Sequence, residues 1–307
     1  MTIKINCSIP GYKGFFKEEP YQLTSDNDKT ADYFVRKDKV EPWINPAKCI
    51  LMLMEPPLAL SRLKLYKQTN QFHTVFRFNP SGKNQFKFCD DPTRFPYNPL
   101  HKSINIRKDT TLTARGLYYA GNQNKNYEHS NSLHGGINLY PVRKIAGEFL
   151  RKHYKPTFFF GNGWGETSKY NGAKGITNVN RSWRVQKIVD MNRLKADFIL
   201  CLENYMISGY VSEKFHDGFV VDRVMLYLGE PNIGNYWPNN CYIDLRKYFN
   251  KNTATLDCNA IIKLMKGMSQ NEYDTILSNA REYRASRSKP RTPHYKNIAD
   301  IIRNRMK

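Results

Sequence analysis

The chain has 307 residues, 40% of them hydrophobic and 13% aromatic, and its formal net charge at pH 7 is +21. This composition excludes a disordered protein, and the length allows either one large domain or two domains of ordinary size. The positive charge indicates an anionic partner, which can be a nucleic acid, an anionic membrane or a phosphorylated small molecule.

The cysteines and the N-terminus bear on the compartment. Six cysteines are scattered along the chain without a CxxC pair, a pattern that favours buried free thiols in a reducing environment. The first residues, MTIKINCSIPGYK, contain no apolar signal core, and no uninterrupted apolar run approaches the roughly 20 residues that span a bilayer. We therefore expect a soluble cytoplasmic protein without a signal peptide or transmembrane segment.

The first hundred residues contain strand-like pieces and one clear strand. Candidate strands occupy residues 3–9, 33–36 and 72–79, whereas residues 49–54 form a continuous apolar run that stops at Glu55-Pro56-Pro57. This pattern is typical of a buried parallel strand whose carboxyl end carries a carboxylate. Such a glutamate can deprotonate an incoming hydroxyl if it faces a cleft, or it can be an ordinary solvated residue at a strand end.

From about residue 111 strands and helices alternate. Strands are predicted at 117–120, 157–160 and 198–202, and helices at 142–153 and 185–196. This alternation favours a parallel sheet covered by helices on both faces. After residue 250 the chain becomes helical and basic, which fits either helices packed on a domain with a solvated face or a surface that meets anionic lipid.

A polar group is expected at the start of the helix that follows strand 198–202. Ser212 is a candidate N-cap, which puts Glu213 and Lys214 in the first helical turn. A carboxylate there can accept hydrogen bonds from the vicinal hydroxyls of a sugar, and the adjacent ammonium can neutralise a diphosphate. As an isolated pair, however, these residues would be ordinary for an exposed helix.

Two further polar residues are predicted near the same edge of the sheet. Asn204 follows the end of strand 198–202, and in open α/β sheets ligands lie outside the carboxyl ends of the strands. Arg143 lies at the start of a helix, from which its guanidinium can reach a phosphate with bidentate geometry. Each alone also fits a turn residue or a surface arginine.

Three other patterns do not support a metal or phosphate site. Asp26-Asn27-Asp28 has the form of a metal-binding DxD but follows no strong strand, and the glycine-rich segment 161–165 lacks the Lys and Ser/Thr of a P-loop. The histidines and cysteines have no zinc-ligand spacing. We therefore expect no structural metal.

The ordered segments LENYMISGYVSEKFHDGF and YLGEPNIGNYWPNNCYIDLRKYF, from residue 202 to residue 249, resemble the donor-binding motif of glycosyltransferase family 10, the α-1,3/4-fucosyltransferases. Ser212 replaces the usual Thr and keeps its hydroxyl, whereas Val224-Met225 stands where the family usually has Val-Pro. Upstream, Pro141-Val142-Arg143 and Leu53-Met54-Glu55-Pro56-Pro57 are similar to two further elements of the family.

The resemblance implies a role for each matching residue. Glu55 is implied as the catalytic base, and the implied donor-binding residues are Arg143 and Lys214 on the diphosphate, Glu213 on the ribose, and Asn204 and Tyr210 next to the fucose. The implied reaction is an inverting transfer of fucose from GDP-fucose to a glycan hydroxyl. Fixed cations would stabilise the leaving diphosphate, so no divalent metal and no cofactor is expected.

The implied fold is α/β of the GT-B type, with two Rossmann-like domains facing a central cleft. We expect an acceptor-side domain at residues 1–108, a nucleotide-sugar donor domain at 109–255 and a basic helical tail at 256–307. The expected partners are the nucleotide-sugar donor and an oligosaccharide or glycoprotein acceptor, and the tail is compatible with peripheral membrane contact.

Two alternatives to this function stay open at the level of sequence. The first is a related transferase that uses another nucleotide sugar, for example a UDP-sugar, because no motif fixes the residues of the sugar pocket. The second is a basic nucleic-acid-binding protein, which the charge and the tyrosine-rich segments favour. No RNP, zinc-finger, KH or helix-turn-helix pattern accompanies that charge, so we expect no nucleic-acid partner.

Overall fold

The computed structural model divides the chain into two compact units, Met1–Phe95 with Pro290–Lys307, and Pro96–Lys289. It describes residues 2–8, 21–25, 27–37, 39–53, 65, 67–77, 80, 83–86, 112, 116–120, 136–160, 188, 191–192, 196–286, 301–302 and 304–305. The predicted base Glu55, Asp26 and the glycine-rich segment 161–165 lie outside these residues, as does most of the predicted helix 185–196.

The first unit contains a six-stranded sheet in which every pair of neighbours is parallel. Its strands, in the spatial order β2-β1-β3-β4-β5-β6, are β1 (Ile3–Cys7), β2 (Tyr21–Leu23), β3 (Tyr33–Lys37), β4 (Cys49–Met52), β5 (Thr74–Phe76) and β6 (Gln85–Phe86). The strands predicted at 3–9, 33–36, 49–54 and 72–79 are confirmed with shorter or shifted ends. All four residues of β4 are buried between β3 and β5, which explains why its sequence is continuously apolar.

The second unit contains a five-stranded parallel sheet. Its strands, in the spatial order β13-β12-β10-β7-β9, are β7 (Gly116–Ala120), β9 (Thr157–Phe160), β10 (Ala196–Leu202), β12 (Val224–Leu228) and β13 (Ile243–Asp244). Two short antiparallel pairs join β8 (Ile137–Asn138) to β11 (Tyr205–Met206) and β14 (Phe249–Asn250) to β15 (Thr255–Leu256). The strands predicted at 117–120, 157–160 and 198–202 are thereby confirmed.

Four helices are described in the second unit: α1 (Tyr140–His153), α2 (Glu213–Val220), α3 (Cys258–Gly267) and α4 (Gln270–Ser286). The predicted N-cap of α2 is confirmed, because the Ser212 side chain accepts a hydrogen bond from the backbone N–H of Lys214 at 3.3 Å. The helix predicted at 142–153 is α1, which begins two residues earlier with Pro141 in its first turn.

Strand β10 is buried on both faces, which explains its uninterrupted apolar sequence. Phe198, Leu200 and Leu202 belong to the core cluster that contains buried residues of α1 and α3. On the other face, Cys201 packs in a cluster with Phe215 of α2. Because successive side chains of a strand point to opposite faces, helices on both sides of the sheet leave β10 no solvated face.

Helices α3 and α4 are part of the second unit. Ile261 and Met265 of α3, with Tyr273 and Leu277 of α4, lie in the same buried cluster as β10. The predicted domains 1–108, 109–255 and 256–307 stay predictions; in the compact units, α3 and α4 belong with the five-stranded sheet and residues 290–307 with the first unit.

Two further expectations concern thiols and membranes. The five described cysteines are free and buried, in agreement with the expected free thiols. Within the described ranges, every helix is too short or too polar to cross a bilayer.

An aromatic cluster joins α2 to the sheet. The ring of Phe215 is fully buried, with its centroid 4.8 Å from that of Tyr227, 5.0 Å from Phe219 and 5.3 Å from Trp237. The rings of Phe219 and Trp237 stack at 4.5 Å. These contacts hold α2, and so its N-terminus, against the sheet.

We predict that Phe215→Ala lowers the free energy of unfolding of the second unit by about 3–5 kcal/mol, because it removes a fully buried ring and leaves a cavity. The measurement is urea unfolding followed by tryptophan fluorescence, with Ile145→Ala as the control. Ile145 is 61% exposed on α1, so its replacement should change the stability by no more than about 0.5 kcal/mol. Equal losses in the two variants would contradict this account of the cluster.

Candidate functional site

Polar residues collect at one edge of the second sheet, where β10 and β12 end. The two strands are parallel and in register, with Leu202 opposite Leu228. Glu203 therefore follows β10 beside the point where Gly229 and Glu230 follow β12. In open parallel sheets this edge is where ligands bind.

Glu203 is a fully buried carboxylate that fastens the start of α2 to the end of β10. It accepts a hydrogen bond from the backbone N–H of Ser212 at 2.8 Å and a second one from the Ser212 hydroxyl. Burial raises the pKa of Glu203 above its usual value, although Lys214 and the two Ser212 donors oppose the shift. The contact joins the first and last residues of the connection 203–212, which links β10 to α2.

Lys214 is held at the N-terminus of α2 by three oxygen-bearing side chains. Its Nζ donates to Ser212 Oγ at 3.1 Å and lies 3.5 Å from Glu213 Oε1 and 3.8 Å from Glu203 Oε2. Burial disfavours the ammonium, but the carboxylates of Glu213 and Glu203 outweigh this effect and raise the pKa of Lys214. The group is therefore a fixed positive charge at neutral pH.

Arg143 is the second cation at this edge. It is buried in the first turn of α1, stacks over the ring of Tyr140 at 4.8 Å, and donates from Nη1 to Asn204 Oδ1 at 2.6 Å. The backbone N–H of Leu139 donates to the Asn204 carbonyl at 3.2 Å. Side chain and backbone contacts together tie the start of α1 to the end of β10.

Tyr210 completes this chain of contacts. Asn204 donates from Nδ2 to the Tyr210 hydroxyl at 3.3 Å. An ordered series therefore runs from Arg143 through Asn204 to Tyr210. Because Asn204 is an amide, it can serve as acceptor for the guanidinium and donor to the phenol at the same time.

The structure brings together the five predicted donor-site residues that it describes. Arg143, Asn204 and Tyr210 form one hydrogen-bonded chain, and Glu213 and Lys214 form an ion pair. The two sets are neighbours, because Asn204 directly follows Glu203, whose carboxylate lies 3.8 Å from Lys214 Nζ. The sixth predicted residue, Glu55, is outside the described residues.

Sequence reasoning placed Glu203 with Asn204 at a strand end where ligands lie but gave Glu203 no specific role, and it did not single out Glu230. The available signal was position, since Glu203 directly follows β10 and Glu230 follows β12 after one glycine. The glycine at position 229 is also required for a steric reason, which sequence alone does not reveal. A Cβ at this position would lie 2.4 Å from Glu203 Cγ and 2.4 Å from the Tyr227 hydroxyl, so only glycine fits between them.

The arrangement suits a diphosphate ester better than a metal ion. Two fixed cations and the N-terminus of an eight-residue helix, α2, all favour an anionic ligand. Arg143 has the planar geometry that matches phosphate oxygens. In the part of the chain that the structure describes, no three His, Cys, Asp or Glu residues form a group able to hold a metal.

Solved structures share this architecture. A crystal structure of an α1,3-fucosyltransferase aligns over 90% of this chain and 80% of its own, with 15% identity and a TM-score of 0.54. One with GDP aligns over 91% and 82% at 16% identity and a TM-score of 0.52. One with GDP-fucose aligns over 100% and 90% at 15% identity and a TM-score of 0.56.

No protein-family model and no curated protein matches the sequence. The likeness is therefore one of fold, and it extends over both units, each of which carries its own parallel sheet. The fold class expected from the resemblance at residues 202–249 is confirmed: the chain has the GT-B-type α/β fold of the α1,3-fucosyltransferases.

Proposed function

We propose that this protein is an inverting glycosyltransferase that transfers fucose from GDP-fucose to a hydroxyl of an oligosaccharide or glycoprotein. One observation carries the proposal: two cations lie at the carboxyl end of β10, Arg143 held by Asn204 and Lys214 beside Glu203. This pair occurs in a fold shared with an α1,3-fucosyltransferase solved with GDP-fucose. The motif resemblance over residues 202–249 supports the same function independently of the fold.

The donor diphosphate contacts Arg143 and Lys214 in this proposal. Glu213, in the first turn of α2, accepts hydrogen bonds from the ribose hydroxyls, and Asn204 and Tyr210 lie next to the fucose. The existing contacts support these roles, because each of the five side chains is already oriented by a neighbour. Preorganised donors and charges stabilise developing negative charge without further reorganisation.

The reaction is a single displacement at the anomeric carbon. The acceptor oxygen forms the new bond to that carbon while the bond to the diphosphate oxygen breaks, and the bonding electrons leave with GDP. Glu55 takes the proton of the acceptor hydroxyl as general base. Arg143 and Lys214 stabilise the charge that grows on the leaving diphosphate, so the proposed chemistry requires neither a divalent metal nor a cofactor.

The choice of donor is first tested by thermal shift. We predict that GDP raises the melting temperature of the protein while UDP at the same concentration does not, because ligand binding to the folded state stabilises it by mass action. Stabilisation by UDP alone would replace the donor assignment with a UDP-sugar. Stabilisation by neither, together with salt-sensitive DNA binding, would favour the nucleic-acid alternative and end the proposal.

Lys214→Ala should weaken GDP binding itself. Loss of a charge-assisted contact costs about 1.5–3 kcal/mol, which corresponds to an increase in the GDP dissociation constant of about 10- to 150-fold. Isothermal titration calorimetry measures the constant, and Lys266→Ala, which removes an exposed lysine from α3, is the matched control. If the two variants bind GDP equally well, Lys214 is not a phosphate contact.

Glu55→Gln should lower turnover by about 10²- to 10⁴-fold, because the amide cannot accept the proton of the acceptor hydroxyl. GDP affinity should stay within about twofold of the parent value, since the base contacts the acceptor rather than the nucleotide. Single-turnover transfer from GDP-fucose supplies the rate, and Glu148→Gln, on the exposed face of α1, is the control. Full turnover in Glu55→Gln would remove this residue from the mechanism.

A further inference from the structure

A second buried carboxylate, Glu230, lies beside the site and has no part in the proposed chemistry. It follows β12 after one glycine, Gly229, and is fully buried. Its carboxylate accepts the backbone N–H of Gly209, and the backbone N–H of Asn232 donates to Oε1 at 2.8 Å. Its own N–H donates to the Tyr227 hydroxyl at 3.0 Å. Hydrogen bonds therefore hold both the side-chain carboxylate and the backbone N–H of Glu230.

The turn that Glu230 holds has a conformation that needs an anchor. Gly209 has a φ of 85°, in the left-handed region that glycine adopts without steric cost but also without preference. The backbone N–H of Tyr210 donates to the Ile207 carbonyl at 3.2 Å, which closes the turn 207–210. Glu230 holds this turn through the backbone N–H of Gly209, as carboxylates do when they fix a backbone segment.

Burying the Glu230 carboxylate costs desolvation free energy, so the contacts that it makes need an explanation. Burial raises the pKa of Glu230, while the amide donors and the Arg246 guanidinium oppose the shift. Arg246 itself is paired with Asp244 and donates to the Pro231 carbonyl. An apolar side chain would avoid the desolvation cost but would leave the backbone N–H groups of Gly209 and Asn232 without this acceptor.

The turn carries Tyr210, which ends the hydrogen-bonded series that begins at Arg143. Glu230 lies 21 residues away in sequence from Gly209, in the segment after β12. The position of the Tyr210 hydroxyl relative to Asn204 therefore depends on a contact made by the segment after β12. Lys214, by contrast, is fastened through Ser212 to Glu203 at the end of β10.

We propose that Glu230 is a positioning residue for the donor sugar: it fixes the turn 207–210 and thereby places the Tyr210 hydroxyl beside the transferred sugar. This inference rests on the proposed function. Since Glu203 and Glu230 fasten different parts of the connection 203–212, the sugar contact can be disturbed while the contact to the nucleotide diphosphate is retained. Glu230 thus affects the efficiency of sugar transfer but not the affinity for GDP.

The test is Glu230→Gln. Glutamine keeps the size of the side chain, but only one of its two terminal atoms can accept a hydrogen bond, whereas both carboxylate oxygens of Glu230 accept one, from Gly209 and from Asn232. We predict that the GDP dissociation constant stays within about twofold of the parent value, whereas kcat/KM for GDP-fucose falls about 10- to 100-fold. Glu272→Gln is the matched control, because Glu272 also accepts a backbone N–H, from Ser269 at 2.7 Å, but lies at the start of α4. The control should leave both quantities unchanged.

A double-mutant cycle with Tyr210→Phe separates positioning from general structural damage. Tyr210→Phe keeps the buried ring and removes the hydroxyl, so it should reproduce the selective loss with GDP-fucose. Because Glu230 acts through Tyr210, the double variant should lose little more than either single variant. If Glu230→Gln does not fold, Tyr210→Phe alone still decides, since unchanged GDP-fucose turnover in that variant overturns the inference.

The remaining outcomes distinguish the inference from the function on which it rests. Fully additive losses, or equal losses of GDP and GDP-fucose affinity in Glu230→Gln, would overturn the positioning role while the parent protein still transfers fucose. Failure of the parent protein to bind GDP would instead overturn the proposed function.

Discussion

The buried contact between Glu203 and Ser212 is the interaction on which the rest of the site depends. Ser212 uses its backbone N–H and its hydroxyl as donors to Glu203, and its hydroxyl oxygen caps α2 by accepting the Lys214 N–H. One residue therefore closes the 203–212 connection and starts the helix. The Phe215 contacts hold the body of α2 on the sheet, and the Glu203–Ser212 contact adds a fixed start to the helix, beside which the Lys214 ammonium lies.

The local electrostatics differ from what the net charge alone indicates. The chain carries a formal charge of +21, yet Lys214 at the site is closely surrounded by the carboxylates of Glu203 and Glu213. These acids raise the pKa of Lys214 and so keep it charged despite its burial. The positive charge offered to a ligand is therefore fixed in place, which matters more for recognition of a diphosphate than the total charge of the surface.

Local sequence patterns predicted the structural features that depend on residues close together in the sequence. The apolar run of β10 and the Ser212-Glu213 helix start were readable because burial on both faces and N-capping each leave a local pattern. The contact of Glu230 with Gly209 could not be predicted, since it joins the segments that follow β10 and β12 between residues 21 apart in sequence. The apolar face of α3, with Ile261 and Met265, indicated a packed helix but not which sheet it covers, and α3 in fact belongs to the core of the second unit.

The two buried carboxylates follow strands that pair in register, Leu202 with Leu228, so the sheet itself sets the spacing between them. Glu203 fixes the end of the connection that carries Lys214, and Glu230 fixes the turn that carries Tyr210. A rigid sheet edge therefore holds the contacts proposed for the leaving group and those proposed for the sugar at a constant separation. A displacement reaction requires this, because the bond that breaks lies between these two groups and a misplacement of about 1 Å can cost on the order of 100-fold in rate.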